Sequence, residues 1–437
     1  MKQNKPVLTL LFLSALIAGC AGSKMVKQPE NGIKVLQDAK SEERSAKTDT
    51  LLSNLFARYP QHFDTILKNN DQWKVQVIYT QIDRDPQNRP SFRHYYYNHD
   101  QGLYFYPAST VKLPVAVLAL QKLKQIKKNG IDRKTTIITE PLPHLLEGVY
   151  NDPNSVDGRP TIENYIKQIL LVSDNDAFNR LYEFLGQEYI NRTLHQMGYD
   201  STQIIHRLSI SLNEEQQRTT NPILFTDSIG QPIYTQASQR SNLTYQKRKT
   251  FLGKGYYSGG KLIHSPFDFS YKNRLTLNDL HSIVQSILFP QAVPPKQRFD
   301  LEADDYAFLQ RYMSMYPKES DFPQYGGPYY NDAYVKFLLY GANDPVNKNI
   351  RIFNKVGDAY GFLIDAAYVA DFENNIEYLL SAVIHCNADG IYNDNRYEYE
   401  TVGFPFMKHL GQVIHQYEKE RKRITKPDLS ALKAIGY

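Results

Sequence analysis

The chain predicts an α+β fold in which one sheet, assembled from both chain ends, is covered by helices. Three observations carry that expectation. Strand-like runs lie near the start, WKVQVIYTQID (73–83) and SFRHYYYN (91–98). They return near the end as NIRIFNKVG (349–357), FLIDAAYVAD (362–371) and IEYLLSAVIHC (376–386), with helical spacing filling the interval. No internal repeat divides the 437 residues, and an apolar share of 41% is enough for a sizeable core.

Taken in order, the first twenty residues read as a targeting segment. Lys2 and Lys5 precede an apolar stretch from Pro6 to Ala18 that is too short and too early for a membrane span. It ends in Leu16-Ile17-Ala18-Gly19-Cys20, which resembles a bacterial lipobox. That resemblance implies lipidation of Cys20 and a protein anchored to a membrane of the bacterial cell envelope. An ordinary secretory signal with an incidental cysteine is the plainer alternative. Residues 21–47 are polar and charged and read as a tether. With Cys20 lipidated, Cys386 is the other of two cysteines, so no internal disulfide is expected. Its setting, YLLSAVIHC, predicts a buried core position.

A single domain is expected over 48–425, followed by a tail at 426–437. It opens with a helical pattern carrying Leu51, Leu52, Leu55 and Phe56, then Phe63, Ile66 and Leu67. The first two strand-like runs follow, and then a helix whose apolar residues Leu113, Val115, Val117, Leu118 and Leu120 predict burial. Helical spacing returns over about 160–200 in TIENYIKQILLVSDNDAFNRLYEFLG. Residues 223–275 are polar, glycine-rich and aromatic without a clear period, and read as an insertion. Helices follow at 276–288 and 304–316. After the returning strands, a last amphipathic helix over about 404–422 carries Phe406, Leu410, Ile414 and Tyr417 on one side. The net charge of +5 is modest, and much of it falls in KERKR (419–423), so no nucleic-acid partner is expected. Eleven scattered histidines without an HExxH motif predict neither a metal nor a cofactor.

Three short motifs carry chemistry. In YPASTVKLPVAVLAL, Ser109 and Lys112 stand three apart and share one helix face. A serine hydroxyl needs a base, and burial disfavours the ammonium form of lysine, leaving an amine able to serve as one. Pro107 and Ala108 put the serine near the helix start, where free N–H groups favour negative charge. Taken alone, the pair would equally describe a helix cap and a solvated lysine. A second instance, Ser258-Gly259-Gly260-Lys261, sits in glycine-rich sequence unsuited to a buried helix. Ser173-Asp174-Asn175 supplies a hydroxyl that can relay a proton and an amide that can hold a substrate amide. Lys355-Val356-Gly357 ends a strand, with a cation for an anionic substrate and a glycine permitting close backbone approach.

In this order, the motifs resemble Ser-x-x-Lys, Ser-Asp-Asn and Lys-Thr-Gly of the penicillin-recognising serine enzymes, most closely the class A β-lactamase-like branch. SVDGRPTIENYIKQILLVSDNDAFNRLYEFLG (155–186), MGYDSTQIIHRL (197–208) and RTTNP (218–222) extend the likeness, which leaves 223–275 unmatched. The resemblance implies an antiparallel sheet with a helical subdomain, of β-lactamase/transpeptidase type. It implies Ser109 as the acylated nucleophile, Lys112 as its activator, and Ser173 as the proton shuttle to the leaving nitrogen. Asn175 would bind the substrate's side-chain amide and Lys355 an anionic group. Gly357 would permit close approach, and the N–H groups of Ser109 and Asp358 would form an oxyanion hole.

The sequence departs from that pattern twice. Val356 replaces a hydroxyl residue that in the family helps to bind the substrate carboxylate. The loop of the family that carries a deacylating glutamate is shortened to SISLNEEQQ, where Glu214 and Glu215 are available but differently spaced. The first expectation is therefore a lipid-anchored serine hydrolase that opens a β-lactam amide through a Ser109 acyl-enzyme, with deacylation open to being slow. The alternatives are a D,D-peptidase or penicillin-binding protein acting on cell-wall peptide, and a non-catalytic binding lipoprotein.

Overall fold

The computed structural model describes residues 35–36, 46–126, 130–143, 145, 147–246 and 248–436. The targeting segment with Cys20, and most of the tether, lie outside the described residues.

Strands β1 (Gln76–Arg84), β2 (Pro90–Tyr97), β3 (Ile350–Ala359), β4 (Phe362–Asp371) and β5 (Ile376–His385) form one sheet. Its order is β3-β4-β5-β1-β2, and every neighbouring pair is antiparallel. The late hairpins thus pair with the first strand through β5 and β1, as Tyr378–Val383 run against Gln76–Gln81. β4 and β5 are buried along their whole length, which is why they read as continuous apolar runs rather than alternating ones.

Helices α1 (Thr50–Ala57), α2 (Pro60–Leu67), α3 (Lys112–Ile126), α4 (Ile162–Val172), α5 (Asn175–Leu185), α6 (Leu277–Leu288) and α7 (Phe404–Glu420) surround the sheet. The first apolar pattern is two helices, because Pro60 takes the first position of α2 and cannot continue α1. Leu52, Phe56, Phe63, Phe406 and Leu410 from α1, α2 and α7 share one core with Val77, Ile352, Val356 and Leu380 of the sheet. The opposite sheet face, with Ile78, Phe353, Ile364 and Val383, shares a second core with α3, α4, α5 and α6. Cys386 is buried in the first.

The segment 223–275 is less of an excursion than its composition predicts. Ile223–Thr226 pairs with Thr136–Thr139 on one side and Pro232–Gln236 on the other, completing a three-stranded sheet. The second Ser-x-x-Lys falls on the exposed hairpin Gly255–Ser258/Lys261–Ile263, away from any buried helix. The basic run after α7 is not a free cationic tail either. Arg421 and Arg423 both turn back onto the buried Glu418, and Arg421 also reaches Asp83.

Candidate active site

Ser109 lies in a single 3₁₀ turn, Ala108–Val111, that leads directly into α3. Burial of Leu113, Val115, Val117, Leu118 and Leu120 fixes α3 in the core, and Lys112 at its first turn is completely enclosed. Ser173 sits between two capped helices. It ends α4 in the left-handed region, and Asp174 then caps α5 by accepting a hydrogen bond from the Ala177 N–H. Lys355 projects from β3 at the edge of the sheet. Three segments far apart in sequence therefore meet at one point.

The Lys112 amine is the hub. Its Nζ is 2.9 Å from Ser109 Oγ, 2.5 Å from the Ser173 carbonyl, 2.7 Å from Asn175 Oδ1 and 3.3 Å from Ser173 Oγ. The two carbonyl oxygens can only accept, so they take two N–H donors. A neutral amine then has its lone pair left for the Ser109 hydroxyl. Lys355 Nζ donates to Ser173 Oγ at 2.8 Å and to the Val356 carbonyl at 2.8 Å. A hydrogen-bonded path thus runs from Ser109 through Lys112 and Ser173 to Lys355.

Electrostatics favours that neutral amine. Burial, and then the neighbouring Lys355 cation, hold Lys112 well below the ordinary lysine range, with Asp174 and Asp358 offsetting part of the drop. Lys355 is itself lowered to about 7 by burial, opposed by Asp358 and Asp365. Asp358 keeps an exposed edge, yet desolvation of its carboxyl raises its pKa, and the two lysines only partly counter this.

Gly357 explains how β3 meets the nucleophile. A Cβ there would stand 2.9 Å from the Pro107 carbonyl oxygen and 3.0 Å from each of the Ser109 and Thr110 nitrogens. All three are backbone atoms, so a larger residue would force the strand and the turn apart. Val356, one position earlier, belongs to the core on the opposite sheet face from Lys355 and is 2% exposed. Methyl groups suit those neighbours better than a hydroxyl would.

The carboxylates of the shortened loop do not join the cluster. Glu214 pairs with Arg218 at 2.9 Å and Glu215 with Arg240 at 2.5 Å, both at the surface. None of the Lys112 contacts among the described residues is to a carboxylate. The residue facing it from the loop is Ser209, whose Oγ accepts from Asn175 Nδ2 at 2.8 Å. Arg207 holds this loop in place through a fully buried pair with Glu183 at 2.5 Å and bonds to the carbonyls of Gln216 and Thr219. Ser209 was not foreseen from the sequence, although it follows the Arg207-Leu208 pair that marks the loop. Three non-glycine residues of the site have positive φ: Ala108 at 47°, Ser173 at 61° and Ser209 at 57°.

A buried serine–lysine pair with a second lysine and an Asn-bearing helix start is the arrangement of an acyl-transferring serine hydrolase. The sequence matches the Beta-lactamase enzyme family over residues 60–298, more than half of the chain, and the chain belongs to that family. It is a serine β-lactamase-like hydrolase. The match runs through 223–275, contains Ser109, Lys112, Ser173 and Asn175, and stops short of Lys355. Among solved structures, the chain is similar to a β-lactamase from Sphaerobacter thermophilus DSM 20745, at 13% identity, 83% coverage of this chain, 97% of that one, and a TM-score of 0.42. It is also similar to a class A β-lactamase from Clostridium kluyveri DSM 555, at 14% identity, with 82% and 98% coverage and a TM-score of 0.43. A penicillin-G acyl-enzyme of a PBP-A variant gives 16% identity, 84% and 97% coverage, and a TM-score of 0.44. No curated protein matches the chain.

Proposed function

We propose that this protein is a membrane-anchored hydrolase that opens a β-lactam amide through a Ser109 acyl-enzyme and releases the product slowly. The neutral Lys112 amine takes the Ser109 proton as the hydroxyl attacks the carbonyl carbon. Ser173, between the two lysines, passes a proton to the leaving nitrogen. The N–H groups of Ser109 and Asp358 stabilise the oxyanion, a donor pair supported by the close passage of Gly357 against the Ser109 turn. Asn175 holds the substrate's side-chain amide, and Lys355 holds its anionic group. The observation that carries the reading is the Lys112 contact set, which satisfies a neutral amine and leaves its lone pair to Ser109 Oγ.

Slow release follows from the same site. Hydrolysis of an acyl-enzyme needs a base for water, and the partner of Asn175 on the loop side is a serine hydroxyl rather than a carboxylate. Turnover on that basis resembles a penicillin-binding protein more than a fast β-lactamase, and a cell-wall peptide as physiological substrate is the second reading. The lipobox-like Cys20, the signal at 1–20 and the tether at 21–47 support anchoring in the bacterial envelope, with the hydrolase domain over 48–425. Exposure to a penicillin, followed by intact-mass measurement, tests the reading. A lasting adduct at Ser109 supports it. Immediate turnover without an adduct removes slow deacylation, and neither adduct nor turnover removes the activity. Metabolic labelling with a fatty acid, lost in Cys20→Ala, tests the anchor.

A further inference from the structure

We infer that the cavity between the 205–218 loop and the 240–272 segment is a subsite for the acyl-side arm of the substrate, selecting an arm that carries a carboxylate. The inference rests on the acyl-enzyme reading and adds the substrate class to it. The cavity has a volume of about 1210 Å³ and adjoins the catalytic cluster rather than containing it. Ser209, Tyr106 and Tyr360 line it, and Ser209 is bonded to Asn175, whose Oδ1 contacts Lys112. An arm held by the Asn175 amide would therefore extend past Ser209 into this space. Its size exceeds the roughly 300–1,000 Å³ of an ordinary small-ligand pocket, leaving room for a chain of several bonds beyond the lactam.

Two residues lining the cavity, Gln203 and His206, also carry polar atoms enclosed behind its wall that have no hydrogen-bond partner among the described residues. Gln203, 3% exposed, leaves Nε2 unpaired, and so does His206. His206 Nδ1 lies 2.6 Å from the Arg207 carbonyl oxygen, which can only accept, so Nδ1 carries the hydrogen and Nε2 is an acceptor.

Charge selects the end group. Arg218 and Arg240 are tied to Glu214 and Glu215, and Asp268 accepts from the Ser270 N–H. Arg248, which has a partner, and Lys272 also line the cavity, and Lys272 forms no ion pair among the described residues. Its ammonium lies 5.8 Å from the Phe267 ring centroid and 5.7 Å from that of Tyr360, held over an aromatic shelf beside the catalytic strand. A carboxylate on the arm would meet this cation.

The test uses three β-lactams with one bicyclic nucleus: a phenylacetyl arm, a dipeptide arm ending in a carboxylate, and the same dipeptide ending in a carboxamide. Second-order acylation rate constants are read by quenched intact-mass measurement. The wild type is expected to favour the carboxylate arm over the carboxamide by about 10- to 100-fold, the worth of one charge-assisted hydrogen bond. That ratio should fall to about 1 in Lys272→Ala, invert in Lys272→Glu, and persist in Lys272→Arg and in the exposed-hairpin variant Lys261→Ala. A wild-type ratio near 1, or a ratio unmoved in Lys272→Ala, overturns the subsite. Acylation by the phenylacetyl compound with a ratio of 1 removes the subsite alone, whereas no acylation by any of the three removes the acyl-enzyme reading with it.

Discussion

Replacing Ser209 with glutamate places a carboxylate where the site has none, and the structure gives the size of the expected gain. Ser209 Oγ is 2.8 Å from Asn175 Nδ2, and Asn175 Oδ1 is 2.7 Å from Lys112 Nζ, so position 209 looks directly onto the catalytic cluster. The residue is exposed, so a longer side chain meets no core packing. A positioned general base contributes about 10²–10⁴ to a rate. Residue 209 already has φ of 57°, a conformation that costs a non-glycine residue about 1–2 kcal/mol. If the longer side chain makes that conformation harder to hold, about one power of ten is lost. Ser209→Glu should therefore shorten the acyl-enzyme lifetime by about 10- to 10³-fold. The assay loads the protein with a penicillin, removes the excess and follows loss of the adduct by intact mass, with acylation measured in parallel. Adduct decay at the wild-type rate, in a folded variant that still acylates, would refute the reasoning. Glu215→Ala supplies the converse control: its carboxylate is committed to Arg240, so the lifetime should not change.

Other consequences are equally direct. Lys112→Ala should lower acylation by at least about 10³-fold while leaving the circular dichroism spectrum unchanged, and wild-type acylation in the folded variant would dismiss the amine as base. Acidification should slow acylation, because Lys112 works as the neutral amine. Raising the pH through about 7 should weaken binding of anionic substrates, because Lys355 then loses its proton. Lys355→Arg, charged throughout, should abolish only the alkaline limb of a pH profile of KM. Glu183→Gln strands Arg207 in the core and should destabilise the protein by about 3–5 kcal/mol in urea unfolding, with a loss under about 1 kcal/mol contradicting the buried pair. Gly357→Ala should cut acylation far more than stability, since its Cβ would collide with the backbone of the Ser109 turn.

What the sequence made legible was whatever rests on local spacing. Ser109 and Lys112 share a helix face because the helix repeat demands it, and the runs at 362–371 and 376–386 are apolar enough to fill strands buried on both faces. Long-range pairings decided the rest. Whether Glu214 and Glu215 face the site depends on Arg218 and Arg240, and the second of these comes from the segment read as an insertion. The three-stranded sheet of 223–236 depends on Thr136–Thr139, nearly ninety residues earlier. The cavity likewise exists only where the loop and that segment come together. Alternation along β3 likewise assigns Val356 to the face opposite Lys355.

The two lysines are better understood together than singly. Both reach Ser173 Oγ, Lys355 at 2.8 Å and Lys112 at 3.3 Å, and both lysines are buried. Two full positive charges so near each other and so poorly solvated repel strongly, and each one lowers the cost of losing a proton from the other. The pair therefore settles with one proton missing, and the contacts decide where it is missed. Lys112 is met by two carbonyl oxygens that need only two of its hydrogens, whereas the Asp358 and Asp365 carboxylates favour the charged form of Lys355. The nucleophile's neighbour becomes the base and the strand's lysine remains the cation. Placed the other way, the same two residues would give an inert serine and no anchor for an anionic substrate. This division of labour, rather than the presence of either lysine alone, is what makes the Ser109 hydroxyl reactive.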